Sequence, residues 1–514
     1  MDTLAEHRRR VAALQHVQAW PQPVEQVEVI ETHISTVLLG GDYAYKLKKP
    51  VDFGFLDFTR LGRRHYYCME EVRLNRRLAP HVYVDVVPVT EDASGPRLDG
   101  TGEVADYAVK MRRFPQAALL GNRAQRGPLE YDLIERLADK LADFHAAMPI
   151  ATDPLYGAPE RIGQRALENF EVLERNFTGQ KQVARLRRLR IWVQEAAQRL
   201  AAAFARRQRE GHVRECHGDL HLDNIIAWDG ELAAFDCIEF APDLRWIDTA
   251  NDIAFTVMDL HFRAQPVAAH HLLNAYLERS GDYNALELIP FYSVYRALVR
   301  AKVDTLSLEK HCGTLETRQV MLEERVDRYL ALAEYLARPD PAHLVITFGV
   351  AGSGKSTAAQ ALVERFGCIR LRSDIERKRL LGFASHAHTD SPLGGGAYTH
   401  AHTQQTYARL RTLAEGVLSA GFVPVVDATF LGRAQRRRFA ELAEARQAGF
   451  AILALEVPPA QLRLRVAQRR ARGRDASEAD LSVLERQLQQ RELLDAGERE
   501  RTIVVPAQAT DPAD

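Results

Sequence analysis

The sequence predicts two domains of different class. The first is α+β and bilobal, a small sheet lobe followed by a larger helical lobe. The second is α/β with a mostly parallel sheet. Three observations predict this. Residues from about Val27 to Met111 alternate apolar and polar like strands, with one helical insert over Leu61–Leu78. From Leu129 helical patterns dominate, interrupted by a short strand–loop–strand region near 213–240. Beyond the stretch Ala337 to His343, apolar strands at Leu344–Phe348, Val423–Asp427 and Ile452–Val457 alternate with helical patterns.

That stretch is the domain break. Two prolines and an aspartate close a helical pattern over about Leu315–Leu336 and precede a strand-like run, a helix stop and a new start. The expected domains are residues 1–338 and 343–505. A chain of 514 residues has ample length for both cores. Its formal net charge of −1 gives no global field to draw it onto nucleic acid or an anionic membrane. The five cysteines (Cys68, Cys216, Cys237, Cys312 and Cys368) are odd in number and form no CxxC pair. A disulfide framework and a structural zinc site are therefore not expected, and a reducing compartment is. The amino terminus is charged where a signal peptide would be apolar, and no run of 18 apolar residues exists. The expected setting is cytoplasmic, without a membrane partner. Oligomeric state is not legible.

In the first domain the chemistry gathers in His217-Gly218-Asp219-Leu220-His221-Leu222-Asp223-Asn224. It is followed by Phe235-Asp236-Cys237-Ile238-Glu239, which places Asp236 seventeen residues beyond Asp219. Phosphoryl transfer from ATP needs a carboxylate near the acceptor hydroxyl and further oxygen ligands for Mg²⁺. An Asp followed five residues later by Asn, on a short loop, puts a base and a metal ligand on one surface. The next strand can then deliver a second metal carboxylate. Asp219 is the expected base, Asn224 a metal ligand and Asp236 the principal one. His217 and His221 are expected to brace the loop. Upstream, Tyr45-Lys46-Leu47-Lys48-Lys49 is strand-like. Lys46 is the candidate for holding the ATP phosphates, and a solvated strand end is the bland reading of Lys48 and Lys49. Of Glu70 and Glu71, Glu71 is expected to pair with Lys46, because Leu74 and Leu78 follow it on an inward helix face. The strand Ala108-Val109-Lys110-Met111 offers backbone to adenine.

The segments HGDLHLDN and FDCIE resemble the aminoglycoside phosphotransferase and choline kinase group of protein-kinase-like folds, over roughly residues 30–300. The short loop Leu38-Leu39-Gly40-Gly41-Asp42 has no GxGxxG, and Glu239 makes a DxxE pattern. Both are similar to the small-molecule branch. The resemblance implies a kinase fold but not an acceptor.

After the break, Gly349-Val350-Ala351-Gly352-Ser353-Gly354-Lys355-Ser356-Thr357 matches GxxxxGK[ST] between an apolar strand and a helical pattern, which is the P-loop context. Gly349, Gly352 and Gly354 let backbone N–H groups of Ser353 to Thr357 wrap the phosphates at a helix start. Lys355 would reach the β/γ-phosphates, and Ser356 would ligate Mg²⁺. In Arg372-Ser373-Asp374, Asp374 is the expected base or acceptor contact at a strand end. Asp427, closing Val425-Val426-Asp427-Ala428-Thr429, is a Walker-B-like carboxylate for the metal. A basic run, Arg463, Arg465, Arg469, Arg470, Arg472 and Arg474, suggests a lid, of which Arg465, Arg469 and Arg472 are the candidates. A solvated helix face and a nucleic-acid patch are the alternatives, and the absence of interleaved aromatics disfavours the latter. His386, His388, His400 and His402 frame a Gly-rich stretch that suits a flexible acceptor-side loop better than a metal site. This set resembles small P-loop kinases related to gluconate kinase and polynucleotide kinase, over about residues 343–495. The whole chain resembles bacterial bifunctional aminoglycoside phosphotransferase and ATP-binding proteins. The expected function is ATP- and Mg²⁺-dependent phosphoryl transfer at two sites to small hydroxylated acceptors. The alternatives are one kinase with a nucleotide-binding regulator, or a carboxy-terminal polynucleotide 5′-kinase.

Overall fold

A computed structural model describes residues 3–54, 56–177, 179–310, 316–339, 341–383, 399–472 and 480–506. The amino-terminal helix α1 (Leu4–Leu14) opens at a capping box, in which the Thr3 hydroxyl accepts the Glu6 N–H and the Glu6 carboxylate accepts the Thr3 N–H. An antiparallel six-stranded sheet follows. Its strands are β1 (Glu28–Glu31), β2 (Ser35–Gly40), β3 (Tyr43–Lys48), β4 (Tyr83–Asp92), β5 (Gly95–Leu98) and β6 (Glu103–Arg112), in the order β1-β2-β3-β6-β4-β5. The helical insert is α2 (Leu61–Asn75), between β3 and β4.

Strand alternation decides what each face of this sheet carries. Tyr45 and Leu47 of β3 point into one apolar cluster with Val11, Leu14, Trp20, Leu38 and Val89. Ala44 points the other way, against Cys68 and Val72 of α2. Lys46 and Lys48 share the parity of Ala44, so both lysines face α2. The β2–β3 turn is only Gly41 and Asp42, with Gly41 at φ +54°. It is too short to form a glycine-rich flap over phosphates.

The helical part begins with α3 (Leu120–Arg126), α4 (Tyr131–Ala147), α5 (Pro159–Asn176) and α6 (Gln180–Arg209). Two small antiparallel pairs interrupt the helices. The strands β7 (Val213–Glu215), β8 (Ile225–Trp228), β9 (Glu231–Ala234) and β10 (Trp246–Asp248) pair as β7 with β10 and β8 with β9. Helices α7 (Pro242–Arg245), α8 (Thr249–Phe262), α9 (Pro266–Ser280), α10 (Ile289–Lys310) and α11 (Glu316–Leu336) complete it.

The carboxy-terminal part alternates β11 (His343–Phe348), α12 (Lys355–Phe366), β12 (Ile369–Arg372), α13 (Ser373–Leu380), α14 (His400–Ser419), β13 (Pro424–Asp427), α15 (Arg433–Ala445), β14 (Gly449–Glu456), α16 (Pro459–Arg472), α17 (Leu481–Gln490), α18 (Ala496–Glu500) and β15 (Thr502–Pro506). Its five strands are all parallel, in the order β12-β13-β11-β14-β15. The predicted classes therefore hold: a kinase-like α+β fold, then an α/β P-loop fold.

By packing, the chain forms two compact units. One contains Met1–Leu129, Asp143–Arg165 and Phe204–Asp259, and the other Glu130–Ala142, Ala166–Ala203 and Leu260–Asp514. Within the second unit, Asn274 of α9 completes the edge of the parallel sheet. Its carboxamide donates to the Cys368 carbonyl at 3.0 Å and accepts the Arg370 N–H at 2.8 Å. Among the described residues, no helix is long and apolar enough to cross a membrane.

Candidate active sites

The first site is built around an ion ladder that crosses three elements. Lys46 Nζ lies 2.8 Å from Glu71 Oε1 and 2.5 Å from Asp236 Oδ1. Lys48 Nζ lies 2.7 Å from Glu71 Oε2 and also pairs with the Glu239 carboxylate. One glutamate of α2 thus receives both lysines of β3, one on each oxygen. The preference for Glu71 over Glu70 is met, since Glu70 instead pairs with Arg73. Lys48 is no solvated strand end. It is fully buried, with Phe58 facing its ammonium. The alternation that turns Lys46 inward turns Lys48 inward as well.

Electrostatics follow from burial and neighbours. Burial works against the Lys46 ammonium, but Asp236, Glu71 and Glu239 outweigh it and hold its pKa well above the usual value. Lys48 is held up in the same way by Glu239 and Glu71. Burial would raise Glu71, yet the two lysines bring its pKa down to about 2. Three carboxylates face two ammoniums, and the surplus falls on Glu239, which burial and the Glu71 charge push upward against Lys48. Asp236 is the wet end of the ladder, with its side chain 46% exposed. Its backbone is left-handed at φ +63°, a strained conformation for a non-glycine residue, and its N–H donates to the Tyr83 hydroxyl.

The loop carrying Asp219 is pinned from below. Asn224 Nδ2 donates to the Asp219 carboxylate at 3.0 Å and to its carbonyl at 2.9 Å. His217 joins the loop to the next strand, donating from Nε2 to the Phe235 carbonyl while Nδ1 accepts the Asp219 N–H. His221 lies 3.4 Å from the Asp219 carboxylate. Gly218 has φ +84°, and a Cβ there would meet the Leu244 carbonyl at 2.5 Å. Sequence reasoning missed what holds this loop. Asp252 of α8 accepts the His217 and Gly218 N–H groups, Thr256 donates to the Leu220 carbonyl, and Asp259 accepts the Leu222 N–H. Their i, i+4, i+7 spacing, three polar residues on one face of an apolar helix, was the available signal. Asp252 also lies with His145 and Cys216 in a buried trio whose ligand atoms are all within 4.8 Å. The Asp252 oxygens are already taken by two backbone amides and His145. Burial pushes the Cys216 thiol up and the Cys237 thiol to about 12, so both are packing groups.

The second site opens from the central strand β11. Gly352 and Gly354 take left-handed φ of +78° and +91°, and Gly354 caps α12. Lys355 Nζ folds back to the Val350 carbonyl at 2.8 Å. Ser353 is buried, and its Oγ has no hydrogen-bond partner among the described residues. Ser356 and Thr357 are exposed on the first turn of α12. The loop is tied to the neighbouring strand end, where Gly349 N–H donates to the Thr429 carbonyl. Asp427, buried at the end of β13, is in register with Arg372 of β12. Asp374 does not end a strand as expected. Strand β12 stops at Arg372, and Asp374 sits in the first turn of α13. Arg465 is half-buried on α16, while Arg463 pairs with Glu485 at the surface. The side chains of Arg469, Arg470 and Arg472, and all of Arg474, His386 and His388, lie outside the described residues.

These loops fit a nucleotide and its metal on their own geometry. The P-loop offers an unsatisfied buried hydroxyl at Ser353 and two left-handed glycines, Gly352 and Gly354, where the backbone carries no side chain. The first site offers a half-exposed carboxylate beside a buried ammonium.

The family model described as "Phosphotransferase enzyme family" matches residues 53–289, and that described as "AAA domain" matches residues 344–494. The uncharacterized protein Rv2004c of Mycobacterium tuberculosis is 31% identical over 408 residues, covering 79% of this chain and 78% of the relative. Protein Mb2027c of Mycobacterium bovis matches to the same extent. The chain belongs to this family. The family joins an aminoglycoside-phosphotransferase-type domain to a P-loop kinase-like domain. Among solved structures, a choline/ethanolamine kinase family protein from Mesorhizobium loti is 14% identical, with a TM-score of 0.36, over 64% of this chain and 99% of that one. A gluconokinase from Sinorhizobium meliloti 1021 is 25% identical, with a TM-score of 0.24, over 33% of this chain and 85% of that one. Members of such families carry out kinase-type phosphoryl transfer with ATP and typically Mg²⁺.

Proposed function

We propose that the protein transfers the γ-phosphoryl of ATP to small hydroxylated acceptors and has two nucleotide sites. The observation that carries this reading is Lys46 bridging Glu71 and Asp236, with Asn224 held on Asp219 at the adjoining loop. A lysine fixed by a buried glutamate is a phosphate clamp kept at full charge.

Bound ATP supplies the phosphoryl group, and Mg²⁺ neutralises charge on it. The chain's residues do the rest. Asp236 and Asn224 would hold the metal at the first site. Lys46 would hold the phosphates. Asp219 would accept the acceptor's proton, with its carboxylate oriented by Asn224 and His221. At the second site Gly349, Gly352, Ser353, Gly354 and Thr357 would line the phosphates. Lys355 would leave the Val350 carbonyl for them, Ser356 and Asp427 would hold the metal, and Asp374 would face the acceptor. Arg465, Arg469 and Arg472 would supply positive charge from α16.

The test is transfer of label from γ-labelled ATP by the full chain and by Asp219→Asn and Lys355→Ala. The acceptors are aminoglycosides, sugars, nucleosides and short oligonucleotides. Label on a small acceptor that one variant abolishes assigns that acceptor to a site. Label only on oligonucleotides, or on none with ATP still bound, overturns the reading.

A further inference from the structure

A carboxamide grips the P-loop from outside. Ala351 N–H, in the first half of the loop, donates to Gln487 Oε1 at 2.6 Å. An N–H needs an acceptor, so the oxygen of this amide is fixed on Ala351 and the nitrogen is its other end. No hydrogen bond of that nitrogen occurs among the described residues. Gln487 lies on α17, which is seated by Leu484 and Leu488 against Val350, Ala351, Leu462 and Val466. Asp480 caps the same helix by accepting the Val483 N–H. A helix held this firmly delivers the amide to one place.

That place adjoins the point where the lysine reaches. Lys355 Nζ contacts the carbonyl of Val350, and the next residue is the one Gln487 holds. Lys355 would swing from this carbonyl to the β/γ-phosphates, so the Val350–Ala351 half of the loop borders the arc the lysine sweeps to the γ end. A carboxamide clamped by its oxygen beside that position keeps both N–H donors to offer a terminal phosphate. We propose that Gln487 contacts the γ-phosphate of ATP at the second site and makes the P-loop bind nucleoside triphosphate in preference to diphosphate. This rests on the reading of the P-loop as a nucleotide site.

The full chain is titrated with ADP and with a non-hydrolysable ATP analogue. Binding is read as hydrogen-exchange protection of peptides spanning residues 349–357, which isolates this site from the other. The variants are Gln487→Ala and Gln487→Glu. Glutamate retains an acceptor for Ala351 N–H but replaces the amide donors with negative charge. A lost donor to a charged phosphate corresponds to roughly a tenfold or greater loss of affinity. Both variants are expected to lose that much for the triphosphate analogue, with Gln487→Glu the weaker, while ADP affinity stays within about twofold. Equal losses for ADP and the analogue would make Gln487 a mere brace of the loop and overturn the proposal, as would no loss in Gln487→Glu. If neither nucleotide protects residues 349–357 of the unmodified chain, the P-loop reading itself falls and takes the proposal with it.

Discussion

Lys48 and Glu239 form an ion pair sealed from solvent, and the same ammonium is shared with Glu71 at 2.7 Å. The pair ties β3 to the segment following Asp236, so the strand bearing Lys46 and the segment bearing Asp236 are joined twice, once by this buried pair and once by the Lys46–Asp236 contact. Removing one partner of a buried pair costs about 3–5 kcal/mol, because the other charge is left uncompensated. Glu239→Gln keeps Lys48 paired with Glu71 and should fall at the lower end. Lys48→Met takes the ammonium from two buried carboxylates at once, Glu239 and Glu71, and should be the worse. Urea unfolding, followed by hydrogen exchange over α2, gives the order. Equal stability of Glu239→Gln and the unmodified chain would mean that the pair contributes nothing.

Asp219→Asn removes the carboxylate that Asn224 and His221 face. Asn224 Nδ2 can still donate to the asparagine oxygen, so the loop should keep its shape. Transfer at the first site should drop by about 10²-fold or more, the scale of general-base catalysis. Nucleotide affinity there should stay within about twofold. A matched loss of affinity would place Asp219 on the nucleotide and not on the acceptor.

How much of this was legible follows from where each residue sits. Asp219, Asn224 and Asp236 are close in sequence, and the chemistry of their types fixes their spacing. Lys46 and Glu71 were legible because strand parity and helix periodicity each point one face inward. Lys48 obeys the same parity, yet lysine is so rarely fully buried that the solvated reading stood in its way. Asp252, Thr256 and Asp259 act at a distance of more than thirty residues from the loop they hold, so only their polarity on an apolar face could betray them. Gln487 carries no charge and belongs to no spaced pattern. Its contact with Ala351 exists only once α17 has packed. Asp374 was expected at a strand end, and β12 stops two residues before it, since a polar Arg-Ser-Asp run reads equally as a strand end or a helix start.

Acid should release the Asp219 loop through Asp252. Burial alone would raise this carboxyl, but its hydrogen bond to His145, the neighbouring histidines and the His217 N–H bring it from an ordinary 3.8 down to about 2. A carboxyl lowered on folding contributes stability above its unfolded pKa and loses it as pH falls through the folded one. The contribution, about 2 kcal/mol, is therefore complete above about pH 4 and disappears toward pH 2. Asp252→Asn should be less stable than the unmodified chain at neutral pH, and the gap in urea midpoint should narrow over that window. A gap that stays constant from pH 5 to pH 2 would mean that Asp252 does not titrate with folding.

Gly352→Ala and Lys355→Ala should separate the architecture of the P-loop from its charge. At Gly352 an added Cβ lies 2.9 Å from Val466 Cγ2 and 3.3 Å from the Leu462 carbonyl, at a φ of +78°. The left-handed backbone alone costs about 1–2 kcal/mol for a residue with a Cβ. The contact adds to this, because Val466 is held in the cluster with Leu484 and cannot swing aside without moving α16. Gly352→Ala should therefore lower thermal stability and also weaken nucleotide protection of residues 349–357. Lys355 is half-buried and its ammonium rests on a carbonyl, so Lys355→Ala should change stability by no more than about 0.5 kcal/mol. It should nevertheless abolish nucleotide protection at this loop and leave transfer at the first site intact. Loss of both activities in Lys355→Ala would show that the two sites work only together, and a fully stable, nucleotide-binding Gly352→Ala would refute the packing of α16 against the loop.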